Sequence, residues 1–361
     1  MSLPDFALDS PAYVDALLSV LEETHATMVL PAHDGSIQAL RTRREDVERR
    51  AALPLATEQA LDVATSKERT LSLGAQLGLR VPVDLPLGDL PDLRPALKAV
   101  GLPAVLKPVT SWVVDKAGSG VRLTSALVQT EYEAEQRLEA VLAAGGIASI
   151  QPWYRGSREA VTVFYAAGTF FAKFAQVSYR EWPVLGGVST LCESIPLLPD
   201  ITTSAERLVE AIGLDGCSMV EFRRDREGLA VLMEVNPRMG GTVGLAERAG
   251  VSFPSLTHAW AMGEPLREVP GYRIGERLRW LIGDMWYLKK AFDREPSPEM
   301  RSAARTTVTL LSDFIARPSH LDGISFTDPL PGLAELSANL QQYLVPSLRK
   351  HLVGRRRPLR S

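Results

Sequence analysis

The stretch VLMEVNPRMGG, from Val231 to Gly241, sets two oxygen donors, Glu234 and Asn236, in an otherwise apolar run. Both residue types are poor strand formers, and burying a carboxylate without a partner is expensive. A second carboxylate, Glu221, lies in the preceding run CSMVEF, and the turn RDREG joins the two runs as a β-hairpin. With that turn centred between Arg226 and Glu227, Glu221 faces Leu232. Side chains two apart along a strand share a face. Glu221, Glu234 and Asn236 are therefore expected on one face, with Val220, Phe222, Met233 and Val235 on the other. A slip of one residue would separate Glu221 from the other two. An oxygen-only cluster suits a hard cation, Mg²⁺ above all, or Mn²⁺, with phosphate oxygens completing the shell. A solvent-facing polar strand is the plainer reading. The following Pro237, Arg238, Gly240 and Gly241 form a loop suited to anions, which favours metal–nucleotide chemistry.

Two lysines add to this. Lys107 ends the run AVLKP and precedes a turn at Gly118, Ser119 and Gly120, whose backbone N–H groups can approach phosphate closely. Taken alone, a lysine at a strand end is an ordinary surface residue. The spacing matches neither the P-loop nor the GxGxxG pattern. Lys67, in VATSKERT, is unremarkable by itself. The run SIQPWYRGSREAVTV offers what a nucleoside pocket needs: an apolar wall at Trp153 and Tyr154, an edge-reading amide at Gln151 and a carboxylate at Glu159. A core strand with an exposed glutamate fits that run equally well.

The elements that must position these residues alternate between helix and strand. PAYVDALLSVLEE has helical spacing, ATMVLPAHDG reads as a buried strand ending in a loop, and RTRREDVERRAA as a charged helix. TEQALDVATSKERTLSLGAQLGLRVP is a helical stretch closed by Gly78 and Pro82. EYEAEQRLEAVLAAGG is an amphipathic helix with a glycine stop. Strands then dominate, interrupted by the loop REWPVLGGVST and by the capped helix ITTSAERLVEAIGLDG. From about Pro270 the pattern turns helical and Trp-rich, with a loop at ISFTDPLPG.

At 361 residues the chain can bury a sizeable core, and 45% hydrophobic with 23% charged residues marks an ordinary globular protein. A net charge of −3 gives no reason to expect nucleic acid as a partner, and the basic tail GRRRPLRS reads as a frayed terminus. Cys192 and Cys217 form no disulfide framework, and the five histidines form no zinc pattern. No signal peptide and no apolar run of spanning length stands out, so no membrane partner is expected and the cytoplasm is the expected location. The residues leave the oligomeric state open, a homodimer included.

Taken in order, these motifs resemble the ATP-grasp superfamily, in particular its carbamoyl-phosphate-synthase-like and D-alanine-ligase-like carboxylate–amine ligases. The resemblance runs from about Ala12 to Pro265. It implies an α/β (α+β) fold of two subdomains gripping ATP, with the ATP-grasp domain over 51–269 and a small flap subdomain over about 82–152. Residues 1–50 would supply only the last helix and strand of an N-terminal α/β unit, and 270–361 a helical C-terminal extension. It further implies that Lys67 and Lys107 hold the nucleotide phosphates and that Gly118 to Gly120 close over them. Gln151, Trp153 and Tyr154 would bind adenine, Glu159 the ribose, and Glu221, Glu234 and Asn236 the magnesium, while Arg238 would steady the transferring phosphoryl group. The Lys67 segment departs from the pattern, reading TSKER where many relatives have Asp-Lys. The implied activity is ATP-dependent joining of a small carboxylate to an amine, with an idle ATP-binding module or a phosphotransferase as alternatives. Arg180 and the loop through Gly186, Gly187 and Ser189 are candidate acceptor contacts, or simply a surface loop.

Overall fold

The computed structural model describes residues 3–6, 9–109, 112–114, 120–123, 125–184, 187–292, 302–316, 319–324 and 327–339. Helix α1 (Ser10–Thr24) starts at Asp9, whose carboxylate accepts from the Ala12 N–H, and buries Val14, Leu17, Leu18 and Leu21 at helical spacing. The expected strand at ATMVL shrinks to a single parallel bridge between Met28 and Ala52. A strand is stabilised by its neighbours, and here one short segment alone lies alongside.

The expected charged helix is split in two. Helix α2 (Asp34–Arg41) begins earlier, capped by the His33 ring, and α3 (Arg44–Glu48) follows. Between them Thr42 bonds back to the Ala39 carbonyl, and Arg43 pairs with Asp15 and Asp46. The next helical stretch is also broken, into α4 (Glu58–Ala64) and α5 (Lys67–Gln76). Ser66 makes the break by accepting from the Arg69 N–H, which sets Lys67 in the first turn of α5.

A small antiparallel sheet follows, built from β1 (Leu85–Leu87), β2 (Ala104–Pro108), β5 (Ala126–Val128) and β6 (Ala148–Pro152), in the order β1-β6-β2-β5. Strands β3 (Trp112–Val114) and β4 (Gly120–Arg122) form a separate hairpin. Helices α6 (Leu93–Val100) and α7 (Glu131–Ala143) cover the small sheet and close a core of its own around Leu106, Leu138 and Ile150.

The large sheet has seven strands: β7 (Arg158–Ala166), β8 (Thr169–Trp182), β9 (Val188–Ile195), β10 (Gly216–Arg224), β11 (Ala230–Asn236), β12 (Arg277–Arg279) and β13 (His320–Leu321). Their order is β11-β10-β7-β8-β9-β12-β13. The β7–β8 turn places Ala167 and Gly168 both at positive φ, the two-residue geometry that suits the strand twist. Helix α8 (Pro199–Ile212), with the N-terminal helices, covers one face over Val161, Val163, Val220 and Phe222. Each such fully buried side chain contributes about 1.5–3 kcal/mol. Helices α9 (Val243–Ala249) and α10 (Phe253–Ala261) cover one end of the opposite face over Phe164 and Phe174. The other end of that face stays free for a site.

The segment after Pro270 is not purely helical. It first adds β12 to the large sheet beside β9, then supplies α11 (Leu281–Phe292), α12 (Ala303–Ala316) and a short helix over 330–339. Arg277–Leu278–Arg279 escaped recognition as a strand because its two arginines are buried, where charge is rare. Among the described residues no helix is long and apolar enough to cross a membrane.

Candidate active site

The β10–β11 hairpin departs from the expected register, with Glu221 facing Glu234 and not Leu232, yet keeps Glu221, Glu234 and Asn236 on one face. Phe222 pairs with Leu232, one residue off the expected register, whereas Glu221 pairs with Glu234. Met233 is the extra residue between them, a β-bulge. The slip alone would have turned Glu234 and Asn236 away from Glu221, and the bulge turns them back. Leu232, rather than Met233, joins the core beside Val220, Phe222 and Val235. Met233 instead lines a cavity together with Glu221 and Glu234.

That cavity, of about 160 Å³, lies between the two sheets. The small sheet contributes Lys107 from β2 and Gln151 from β6, and α5 contributes Lys67. Lys107 Nζ donates to Gln151 Oε1 at 2.5 Å. Burial, and after it the neighbouring Lys67 ammonium, push the Lys107 ammonium down to about 7. Lys67 Nζ stands 3.8 Å from Glu234 Oε2. Although burial acts upward, Lys67, Arg158 and Lys107 together hold the Glu234 carboxyl below its usual range. Burial pushes the opposed Glu221 carboxyl up, aided by the repulsion of Glu234.

Trp153 and Tyr154 also line this cavity, and the Arg223 guanidinium stacks 4.9 Å from the Trp153 ring centroid. Gln151 Nε2 and Trp153 Nε1 are buried with no hydrogen-bond partner among the described residues. Buried donors are nearly always satisfied, so these two fit a ligand that carries acceptors, as a heterocyclic base does. Among the described residues no three His, Cys, Asp or Glu side chains gather to hold a metal. A cation at Glu221 and Glu234 would therefore draw on the Asn236 amide oxygen and on phosphate oxygens, the donor set of a nucleotide-bound Mg²⁺.

The candidate ligands already have protein partners. Arg158 grips Glu221 Oε2 through Nε at 2.7 Å and Nη2 at 2.5 Å. Glu221 Oε1 accepts from Asn236 Nδ2 at 3.2 Å, and Asn236 Oδ1 accepts from Arg238 Nη2 at 3.2 Å. Arg238 is held in turn by Asp34, at the start of α2, through both carboxylate oxygens. Burial acts to lower the Arg158 pKa, but Glu221 and Glu181 outweigh it and hold it raised.

Other expected residues fall elsewhere. Glu159 does not reach the cavity. It neighbours Phe222 on the core face of the sheet and is bound by Arg224 at 2.6 Å and by the Ser157 hydroxyl at 2.8 Å. The adjacent Arg158 takes the site face instead. Arg180 is buried and bound by Asp284 and Asp313, so it is no free contact. Gly187 is packed so tightly that an added Cβ would meet the Trp182 carbonyl at 1.9 Å, and Ser189 bonds Ser178. Gly118, Ser119 and Gly186 lie outside the described residues, while Gly120 opens β4. Arg158, Arg223 and Asp34 were not anticipated. For Arg158 the period-two rule gives the alternation along β7, but only its pairing with β10 says which residues face the site.

Comparison with known proteins bears on the fold. Residues 186–282 match the family model described as ATP-grasp in the biosynthetic pathway with Ter operon. The chain is 24% identical over 262 residues to the carbamoyl phosphate synthase large chain of Methanoculleus marisnigri, covering 70% of this chain and 24% of that one. Among solved structures it is similar to the biotin carboxylase domain of 2-oxoglutarate carboxylase from Hydrogenobacter thermophilus, in complex with MgADP and bicarbonate. That likeness has a TM-score of 0.59 at 17% identity and covers 77% of this chain and 62% of the other. It is also similar to the L-amino acid ligase of Bacillus licheniformis, with a TM-score of 0.53 at 22% identity, covering 77% and 66%. The chain thus spans about a quarter of the curated relative and under two thirds of the carboxylase domain. The fold is that of the ATP-grasp proteins, as the ordered motifs imply.

Proposed function

We propose that this chain is an ATP-dependent ligase that activates a carboxylate as an acyl-phosphate and joins it to an amine, releasing ADP and phosphate. The observation that carries this reading is the convergence of Lys67, Lys107, Glu221 and Glu234 on one cavity beside two buried donors that have no partner among the described residues. Gln151 and Trp153 would bind the base edge, and Tyr154 would complete the wall. Lys67 and Lys107 would neutralise phosphate oxygens, and a phosphate would restore the charge that burial takes from Lys107. Glu221, Glu234 and Asn236 would hold Mg²⁺, which when bound draws charge from the phosphate oxygens.

In the first half-reaction a carboxylate oxygen attacks the terminal phosphorus, the bond to the bridging oxygen breaks, and ADP leaves. In the second, the amine nitrogen attacks the acyl carbon, phosphate leaves, and the nitrogen gives up a proton. Arg238 would reach the transferring group by exchanging Asp34 for it. No nucleophilic side chain is required, and neither cysteine is poised as one: burial pushes the Cys192 thiol up to about 12 and raises that of Cys217 as well. Catalysis would come from positioning and charge dispersal.

The Arg238–Asp34 pair favours a second reading, an ATP-binding module whose phosphoryl-handling arginine is permanently engaged. ADP release screened against pooled carboxylates and amines separates the two. The ligase requires release that depends on both an acid and an amine, and ATP binding without such release would leave the module.

A further inference from the structure

A second cavity, of about 440 Å³, lies between the start of β7, the end of β8 and α11. Arg155, Arg158, Arg180 and Arg223 line it, but they are not equally able to receive an anion. Arg180 is saturated by Asp284 and Asp313. Arg223 meets Glu181 through Nη2 alone. Arg155 is exposed and makes no hydrogen bond or ion pair among the described residues. Arg158 and Arg223 also line the first cavity, so the Arg158 guanidinium stands as the partition between the two.

Arg158 and a divalent cation compete for the same atom. Glu221 Oε2 is 2.5 Å from Arg158 Nη2, and it is an oxygen a cation would use. Like charges this close, one of them double, repel strongly where water is scarce. A cation on Glu221 would therefore displace Arg158, whose remaining partners are the Gly187 carbonyl at 2.6 Å and Glu181 at 3.5 Å, the latter shared with Arg223. Two guanidinium groups would then face one carboxylate, with Arg155 uncompensated at the rim. The cavity becomes an anion site when the metal site fills.

We propose that this second cavity receives the carboxylate substrate, that Arg158 holds its carboxylate, and that occupation of Glu221 by a divalent cation turns Arg158 toward it. The inference rests on the ligase reading and names the substrate class. A carboxylate held by Arg158 lies next to the metal ligands, where it must be to receive a phosphoryl group. Tyr179 and Tyr287 on the walls, with Val177 and Val184, suit a planar or aromatic body. Tyr287 belongs to α11, so the C-terminal segment completes the site.

Calorimetry on the full chain tests this with acetate, benzoate and 4-hydroxybenzoate, each against its neutral amide. The titrations are run with and without Mg²⁺ and a non-hydrolysable ATP analogue. Loaded with both, the protein is expected to prefer an aromatic acid over its amide by about tenfold or more, and to lose most of that preference when Mg²⁺ is left out. Arg158→Gln should abolish the preference while the analogue still binds. Arg155→Ala, at an exposed position that does not threaten folding, should weaken acid binding by about threefold. Equal binding of acid and amide in the loaded protein, a preference indifferent to Mg²⁺, or one that survives both substitutions overturns the proposal. Failure of the analogue to bind overturns the ligase reading itself, and it is seen before any acid is added.

Discussion

Arg238 and Asp34, 204 residues apart in sequence, meet fork to fork: Nε lies 2.8 Å from Oδ1 and Nη2 lies 2.7 Å from Oδ2. A guanidinium edge taken by one carboxylate cannot bind a second anion there at the same time. Under the ligase reading the pair opens when the phosphoryl group arrives. Arg238→Ala should then lower kcat far more than it raises the KM for ATP, and Arg238→Lys should recover little, since a point charge does not bridge two oxygens. Asp34 is half-exposed, so Asp34→Asn should cost only about 0.2–1 kcal/mol of stability. If both variants lose the same stability and Arg238→Ala keeps its kcat per folded molecule, the arginine is a brace and no more.

Glu234 tests the metal assignment. Its side chain is 43% exposed and its nearest cation is Lys67, so Glu234→Gln should leave the melting temperature within about 2–4 °C. Magnesium-dependent turnover should nevertheless vanish, because a hard anionic ligand is gone. Retained activity in this variant would move the metal elsewhere.

Lys107 predicts a pH dependence for ATP binding. Its ammonium titrates at about 7 in the free protein, and a bound polyphosphate would raise that value. Above pH 7, binding must then take up a proton, so ATP affinity should fall with rising pH, by up to about tenfold per unit. Below pH 7 the lysine is already charged and this dependence disappears. Calorimetry in buffers of different ionisation enthalpy reads the uptake directly. Lys107→Ala should weaken ATP much more than adenosine and remove the proton uptake, and an unchanged profile in that variant places the phosphates away from Lys107.

The same lysine bears on folding, with the sign following from its lowered pKa. Between about 7 and the unfolded value of about 10.4 the unfolded chain binds a proton that the folded chain does not. Its contribution to stability therefore rises with pH across that window, and the cost of charging it is fully present below about 7. Lys107→Met should be more stable than the parent at pH 6 and lose that advantage toward pH 10, as denaturant midpoints would show.

Glu159→Ala should behave as a structural substitution. It leaves Arg224 with Asp200 and the Gly228 carbonyl, at a cost of about 1–3 kcal/mol. Nucleotide affinity per folded molecule should not change. A large loss of affinity at full stability would return Glu159 to the site.

What could be read from the sequence was local. The alternation in VLMEVN, the Lys107–Pro108 strand end and the Gln151–Tyr154 run each depend on neighbours a few residues away. Arg158 acts on Glu221 across 63 residues and Asp34 on Arg238 across 204, and no periodicity reports such pairings. The choice between Arg158 and Glu159 was a choice of face, which rests on the pairing of β7 with β10. The buried arginines of β12 concealed a strand, because Arg277 pairs with Glu193 and Arg279 lies over the Phe314 ring, neighbours that only the fold brings near.

The bulge at Met233 has a bearing on how this hairpin can vary in length. Strand β10 is pinned by β7 from Gly216 to Arg223, which fixes Glu221 and Phe222 alike, and Met233 takes up the one-residue difference between the Phe222–Leu232 and Glu221–Glu234 pairs. Residues gained or lost in Asp225–Leu229 therefore leave the carboxylates where they are. Losing Met233 itself would yield a regular ladder that still sets Glu234 opposite Glu221, at the expense of an apolar cavity wall. One residue added between Glu234 and Asn236 would instead swing the amide into the core. Insertions and deletions should thus be tolerated on the turn side of Glu234 and excluded on the other.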